Sequence, residues 1–282
     1  MTTTPTAFIC PNCRQPLVSE GRTLRCEAGH SFDVAREGYV NLVTGKAPSA
    51  SQGDDAAMVQ ARRAFLGRGY YEPLATALGE IVGADSPRLI ADFGCGEGYY
   101  LGQLMRSPQL TGAMAYGTDI SKPAMAAAAK AYPAVHFALA DTNRLIPFAD
   151  ASVEVGLSIF APRNAAEFAR VVAPGGRLVI AIPAQGHLAS VRERFGLLGI
   201  ESDKAAKITA QLDGFSLASS RGVDARVQLD GAALRELVAM TPNARHMDAT
   251  KSADLAAVAE ITAEFEFEIL DFIRYTKANE VA

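Results

Sequence analysis

The stretch Ala91-Asp-Phe-Gly-Cys-Gly-Glu-Gly-Tyr-Tyr100 decides the fold of this chain. Arg88-Leu-Ile-Ala91 reads as a short buried strand and Leu101-Gly-Gln-Leu-Met105 as the start of a helix. Gly94, Gly96 and Gly98 join the two at every second position. Residues without a Cβ let such a turn take positive φ and let a ligand lie against backbone at a helix N-terminus. A dinucleotide fingerprint needs a small residue three after Gly96, and that position is Tyr99. An acid, Asp92, stands two residues before the first glycine.

Working outward, Ala115-Tyr-Gly-Thr-Asp119 is the next strand, ending in an acid about twenty residues beyond the loop, where a carboxylate accepts both hydroxyls of a ribose. The competing account of Asp119 is a cap for the helix that opens near Ser121-Lys-Pro123. Val135-His-Phe-Ala-Leu-Ala-Asp141 is a third strand, also ending in an acid, and Val153-Glu-Val-Gly-Leu-Ser-Ile-Phe160 a fourth. Residues 168–183 supply a helix, a Pro-Gly-Gly turn and a fifth strand. Such alternation marks an α/β fold, a doubly wound and mostly parallel sheet with helices on both faces. Its ligand crevice lies beyond the carboxyl ends of the strands, where Gly94–Gly98, Asp119 and Asp141 all fall.

Within 282 residues, 49% of them apolar, there is room for one large domain and a small one. No apolar run is long enough to span a membrane, and Met1–Phe8 lacks the pattern of a signal peptide, so a cytoplasmic location is expected. A net charge of −4 argues against wholesale nucleic-acid binding. Residues 1–70 nevertheless hold eight Lys/Arg against six Asp/Glu, a bias compatible with an RNA-facing module or with ordinary surface.

Cysteine spacing is sharper. Cys10, Cys13, Cys26 and His30 form C-x2-C-x12-C-x3-H, enough for a closed tetrahedral Zn²⁺ site of structural kind. So small a piece cannot bury enough apolar surface unaided. A disulfide is the rival account, disfavoured without an export signal, and a site lacking His30 is another. Cys95, inside the glycine loop, reads as a packing residue. Residues 44–57 read as a linker between a zinc-binding domain at 1–43 and a second domain at 58–282. Asp54–Gly67 reads as a capped helix with Met58, Ala61, Phe65 and Leu66 on one face. Arg62 and Arg63 beside that stripe are candidates for phosphate contacts or plain surface charges.

Asp92-x-Gly94-x-Gly96-x-Gly98 resembles motif I of class I S-adenosylmethionine-dependent methyltransferases. In that family an acid at Asp141 meets the adenine amino group. The finger, Glu37-Gly-Tyr-Val-Asn-Leu42, Gln60-Ala-Arg-Arg-Ala-Phe-Leu66 and Gly94–Tyr100 occur in this order. Over residues 8 to about 190 the combination resembles the bacterial 23S rRNA (guanine-N1-)-methyltransferase family (RlmA/RrmA type). The resemblance implies a zinc-finger RNA-recognition domain on a Rossmann-like class I domain with a seven-stranded sheet. It also implies S-adenosylmethionine as cofactor, a guanine in a 23S ribosomal RNA hairpin as acceptor, and a homodimer. By the same resemblance Tyr71, Gly96, Glu97 and His187 join Gly94, Gly98, Asp119 and Asp141 around the cofactor. Tyr71 is expected to close over the ligand and His187 to approach its amino-acid end.

The residues also disfavour other chemistry. Ser158-Ile-Phe-Ala-Pro162 lacks the Asn/Asp-Pro-Pro-aromatic motif common in methylation of exocyclic amines. No cysteine stands where attack on a pyrimidine carbon would require one. A ring nitrogen needs chiefly alignment with the donor methyl and removal of a weakly acidic proton, for which Asp54, Asp55 and Glu97 are candidates. Phe160, Tyr99 and Tyr100 are candidate stacking partners for an extruded base. Beyond residue 186 we expect helices at 187–198, 204–212, 231–239 and 254–260, a strand at 215–229, and an alternating strand at 261–270 on the sheet edge. A methyltransferase for small molecules or proteins, with the finger as scaffold, and a non-enzymatic RNA-binding protein are the alternatives.

Overall fold

The computed structural model describes residues 4–45, 53–241, 244 and 247–276. Much of the expected linker, residues 46–52, lies outside them. The chain opens with β1 (Thr4–Ile9), β2 (Pro16–Glu20), β3 (Thr23–Arg25) and β4 (Ser31–Asp33), an antiparallel sheet in that order. After β5 (Val40–Asn41) come α1 (Ala56–Gly67) and α2 (Glu72–Gly83), then β6 (Leu89–Phe93), α3 (Tyr99–Leu104), β7 (Met114–Asp119), α4 (Lys122–Ala131) and β8 (His136–Leu139). β9 (Val153–Ile159), α5 (Ala165–Val171), β10 (Val172–Pro183), α6 (Ala189–Phe195) and α7 (Lys204–Gln211) follow. β11 (Phe215–Asp230), α8 (Gly231–Ala239), α9 (Ala249–Ala257) and β12 (Glu260–Arg274) complete the chain.

The large sheet runs β11-β12-β10-β9-β6-β7-β8-β5. From β5 to β10 every neighbour is parallel, whereas β12 lies antiparallel between β10 and β11. Two expectations are corrected here. The sheet has eight strands rather than seven, because β5, from the segment after the finger, pairs with β8. The alternating strand at the carboxyl end is internal: Glu260–Arg274 is flanked on both sides, and the edge is the exposed β11. The alternation arises because Ala263, Phe265, Phe267 and Ile269 are buried while Glu264, Glu266 and Glu268 are half-buried. Sequence alternation reports one wetter face; it does not report whether a strand has one neighbour or two.

Local chemistry accounts for the elements around the loop. β6 is buried along its whole length, as a central parallel strand requires. Asp55 caps α1 by accepting the Met58 N–H at 2.9 Å, and Ser121 caps α4 through the Ala124 N–H. Met58, Val59, Phe65 and Leu66 form the buried stripe of α1, with Ala61 half-buried beside it.

One sheet face carries α1–α4, α6, α8 and α9. The other carries α5, α7 and, unexpectedly, the finger. A parallel crossover normally brings a helix over the sheet, but residues 140–152, from β8 to β9, contain none. Phe8 fills that place: its ring lies 5.0 Å from Tyr116 and 5.4 Å from Phe148. Ile9 N–H bonds the Pro147 carbonyl at 3.0 Å, and Leu17, Leu24, Cys10 and Cys26 join the same buried cluster.

Candidate active site and metal centre

Between β6 and α3, Gly94, Gly96 and Gly98 take φ of 93°, 56° and 81°. The N–H groups of Gly94 and Cys95 both bond the Thr118 carbonyl, pinning the loop to the end of β7. A Cβ on Gly94 would stand 2.6 Å from that of Ala161, so only glycine lets the loop pass there. At Gly96 a Cβ would meet only Arg62 Nη1, at 3.5 Å, and the backbone is open to a ligand. Cys95 packs: its Sγ lies 2.8 Å from where a Gly117 Cβ would be.

Asp119 closes the crevice on one side. Its Oδ2 accepts the Gly96 N–H at 2.9 Å and its Oδ1 the Ser121 N–H at 2.7 Å. Burial raises its pKa, and those two hydrogen bonds oppose the rise. The Ala140 N–H bonds the Asp119 carbonyl, so Asp141 stands at the same end of the sheet, its Oδ1 accepting from Asn143 N–H. Asp92 is 1% exposed and its Oδ1 lacks a partner among the described residues, as does Tyr100 Oη. Burial first, then the charges of Asp119 and Glu97, hold the Asp92 carboxyl well above the usual range. Glu97 is pushed up to about 7 by burial, with Arg62 pulling the other way. Open backbone at Gly96, a half-buried acid at Asp119 and the buried, unpartnered Asp92 Oδ1 and Tyr100 Oη fit a polar, partly charged ligand.

Tyr71 and His187, remote in sequence, meet: Tyr71 Oη lies 3.5 Å from His187 Nε2. His187 Nδ1 accepts the Glu266 N–H at 3.2 Å, so the neutral ring carries its proton on Nε2. Burial pulls its pKa down to about 4. Phe65, Phe265 and Phe267 pack edge-on around Tyr71, and Phe160 lies 6.4 Å away. Phe160 follows β9 with φ 54° and is 40% exposed. Left-handed backbone at a bulky residue costs about 1–3 kcal/mol and collects at functional sites. Tyr99 and Tyr100, the other expected stacking partners, are buried and serve as core. Three residues after Phe160, Arg163 faces Lys204: burial, then the Arg163 charge, depresses the Lys204 pKa. The nearby Glu201 is paired instead with Lys207.

The candidate bases separate clearly. Asp55 is committed to capping α1, and Asp54 to an ion pair with Arg62. Arg62, taken from sequence as a phosphate contact or a surface charge, turns inward over Gly96 and also donates to the Met240 carbonyl at 2.8 Å. Sequence reasoning left Arg62 undecided between those two roles, read Ser121 only as the start of a helix, and missed Met240, Phe265 and Phe267 at the site. The strict alternation at 261–270 marked the two phenylalanines as one buried face, whereas nothing local marks Met240.

In the finger, one ligand atom from each of Cys10, Cys13, Cys26 and His30 lies within 4.8 Å of all the others. Cys13 Sγ and Cys26 Sγ are 3.6 Å apart, and Cys26 Sγ and His30 Nδ1 3.4 Å. Tetrahedral Zn–S bonds of about 2.3 Å put sulfurs roughly 3.8 Å apart, so the set fits zinc. All four cysteines of the chain are free thiols, which removes the disulfide alternative. Turns with Arg14 N–H on the Cys10 carbonyl and Gly29 N–H on the Cys26 carbonyl preorganise the ligands.

Residues 8–46 match the family model described as RlmA, N-terminal, a zinc ribbon, and residues 91–180 match the one described as Methyltransferase domain. The 23S rRNA (guanine(748)-N(1))-methyltransferase of Streptomyces fradiae is 37% identical over 269 residues, spanning 92% of this chain and 95% of that protein. The chain belongs to this family. A Micromonospora griseorubida protein, provisionally described as a 23S rRNA (guanine-N(1)-)-methyltransferase, is 38% identical over 89% of this chain and 91% of its own. Among solved structures, a chain of the complex between the Haloferax volcanii Trm112 methyltransferase activator and a methyltransferase aligns with TM-score 0.53. It is 19% identical over 81% of this chain and 100% of that one, which shows the fold alone. This family member is thus a class I enzyme whose cofactor is S-adenosylmethionine, with a structural zinc held by the ribbon. Among the described residues, no helix is long and apolar enough to cross a membrane.

Proposed function

We propose that the protein transfers the methyl group of S-adenosylmethionine to N1 of one guanine in a hairpin of 23S rRNA. The observation that carries this reading is the near full-length relation to the Streptomyces fradiae enzyme, through ribbon and glycine loop alike. The cofactor supplies an already activated methyl group, and this chain's residues supply position. Gly94, Gly96, Glu97 and Gly98 line its bed, Asp119 takes the ribose hydroxyls and Asp141 the adenine amine. Tyr71 and His187, packed on Phe265 and Phe267, wall off the amino-acid end from water.

Phe160 offers the exposed face on which an extruded guanine stacks, and Arg163 with Lys204 stands where flanking phosphates pass. Of the three carboxylates considered as base, Glu97 alone neither caps a helix nor forms an ion pair. A pKa of about 7 suits it to accept the N1 proton near neutrality. The division of labour is a ribbon at 1–43 that grips RNA and a catalytic part at 58–282. The enzyme works in the cytoplasm as a homodimer, for which the exposed sixteen-residue β11, at the sheet edge, offers an open strand edge.

One observation favours the ribbon as pure scaffold for another acceptor: its core is continuous with the sheet face. Incubation of the purified protein with labelled cofactor and whole-cell extract decides between the two. We expect label in 23S rRNA, abolished by RNase, and a reverse-transcription stop at one guanine. Label in protein or small molecules alone overturns the RNA reading.

A further inference from the structure

Above the glycine loop, beside Gly96, Arg62 forms an ion pair with Asp54. Arg62 reaches back to Asp54, before the helix, and Asp54 is held in turn: its carbonyl accepts from Ser121 Oγ at 2.6 Å. A Cβ on the preceding Gly53 would lie 3.0 Å from Ile120 and 3.1 Å from Ser121, so this strap rests directly on the turn after Asp119. Both charged side chains are largely buried, at 25% and 22% exposure. Burial works against the Arg62 charge, and Asp54, Glu97 and Asp119 outweigh it.

Such a pair is costly as a mere strut, because desolvating two charges offsets most of their attraction. On the proposed reading Asp119 would hold the ribose and Asp141 the adenine, which would leave the open backbone at Gly96, beside Arg62, for the amino-acid tail. That tail carries a carboxylate and an ammonium group. We propose that Asp54 and Arg62 are a receptor for this zwitterion, Arg62 receiving the carboxylate and Asp54 the ammonium group. Without ligand the two satisfy each other; with ligand, one ion pair becomes two, and no buried charge is left alone. The inference rests on the glycine loop being the cofactor site.

The test compares S-adenosylhomocysteine with 5′-methylthioadenosine, which keeps the nucleoside and sulfur but lacks both tail charges. Calorimetric affinities are measured on the full chain, as wild type, Arg62→Ala, Arg62→Lys and Asp54→Asn, with melting temperature and circular dichroism as controls for folding. We expect Arg62→Ala to weaken S-adenosylhomocysteine by about tenfold or more while methylthioadenosine changes by less than about twofold. Arg62→Lys, which keeps charge but loses the planar fork, falls between. Asp54→Asn shows the same selectivity with a smaller loss, and it carries the test should Arg62→Ala not fold. Equal losses for both ligands overturn the proposal in favour of a strut, and no loss for either overturns it outright. Wild type that binds neither ligand overturns the cofactor reading itself.

Discussion

The metal-binding cluster and the glycine-loop site are built by opposite routes. All four zinc ligands come from two short turns within residues 10–30, and their spacing alone placed them. The candidate site brings together residues from Gly53 to Phe267, and no window of sequence shows how they meet. Local chemistry is written along the chain, while a cleft at the end of a parallel sheet is written in topology. Where the two regions touch, at Phe8, Tyr116 and Phe148, the ribbon behaves as part of the sheet's own core rather than as an attached bead.

The sharpest way to break this contrast is to remove the metal. Chelation, or Cys26→Ser, is expected to cost several kcal/mol and to lower one whole-chain calorimetric transition, because the ribbon core is shared. A separate early transition that leaves the main one unmoved would restore the bead picture. Second in size is Gly94→Ala. A methyl group 2.6 Å from Ala161, at φ 93°, must displace the loop or the residue after Phe160. We expect roughly a hundredfold loss of cofactor affinity, about 3 kcal/mol, with the zinc content unchanged.

A comparable effect, of opposite sign, belongs to Glu97→Gln. Unfolded, Glu97 ionises near its ordinary 4.5; folded, it stays protonated up to about 7 because of burial. The folded state therefore loses stability as pH rises from about 4.5 to 7, and the penalty is complete above 7. Removing the carboxylate should raise stability relative to wild type by up to about 3 kcal/mol at pH 8 and by little at pH 4. Melting curves at both pH values check this, and a gain independent of pH would refute it. The smallest expected effect is Phe160→Ala: about tenfold lower kcat/KM for RNA, with unchanged affinity for S-adenosylhomocysteine. Intact RNA methylation in that variant would take Phe160 out of the acceptor site.

Much of the fold was legible because β6 and its neighbours are buried on both faces and separated by capped helices. What was not legible has physical causes. β5 spans only Val40–Asn41, too short to carry any periodicity, yet its bonds to Ala138 and Leu139 add a strand to the sheet. The alternation of residues 261–270 was read correctly as a strand and wrongly as an edge, since partner number depends on where β11 lands. The sequence leaves Arg62 undecided between phosphate contact and surface charge because helical periodicity places it beside the buried stripe. Only the strap at Gly53–Asp54 and the carbonyl of Met240 turn it inward.

The parallel bonding of Val40 and Asn41 to β8 has a mechanical consequence. The same strand leads to Asp141, so the segment that follows the metal-binding cluster and the acidic end of the sheet are held at a fixed spacing, like the two jaws of a calliper.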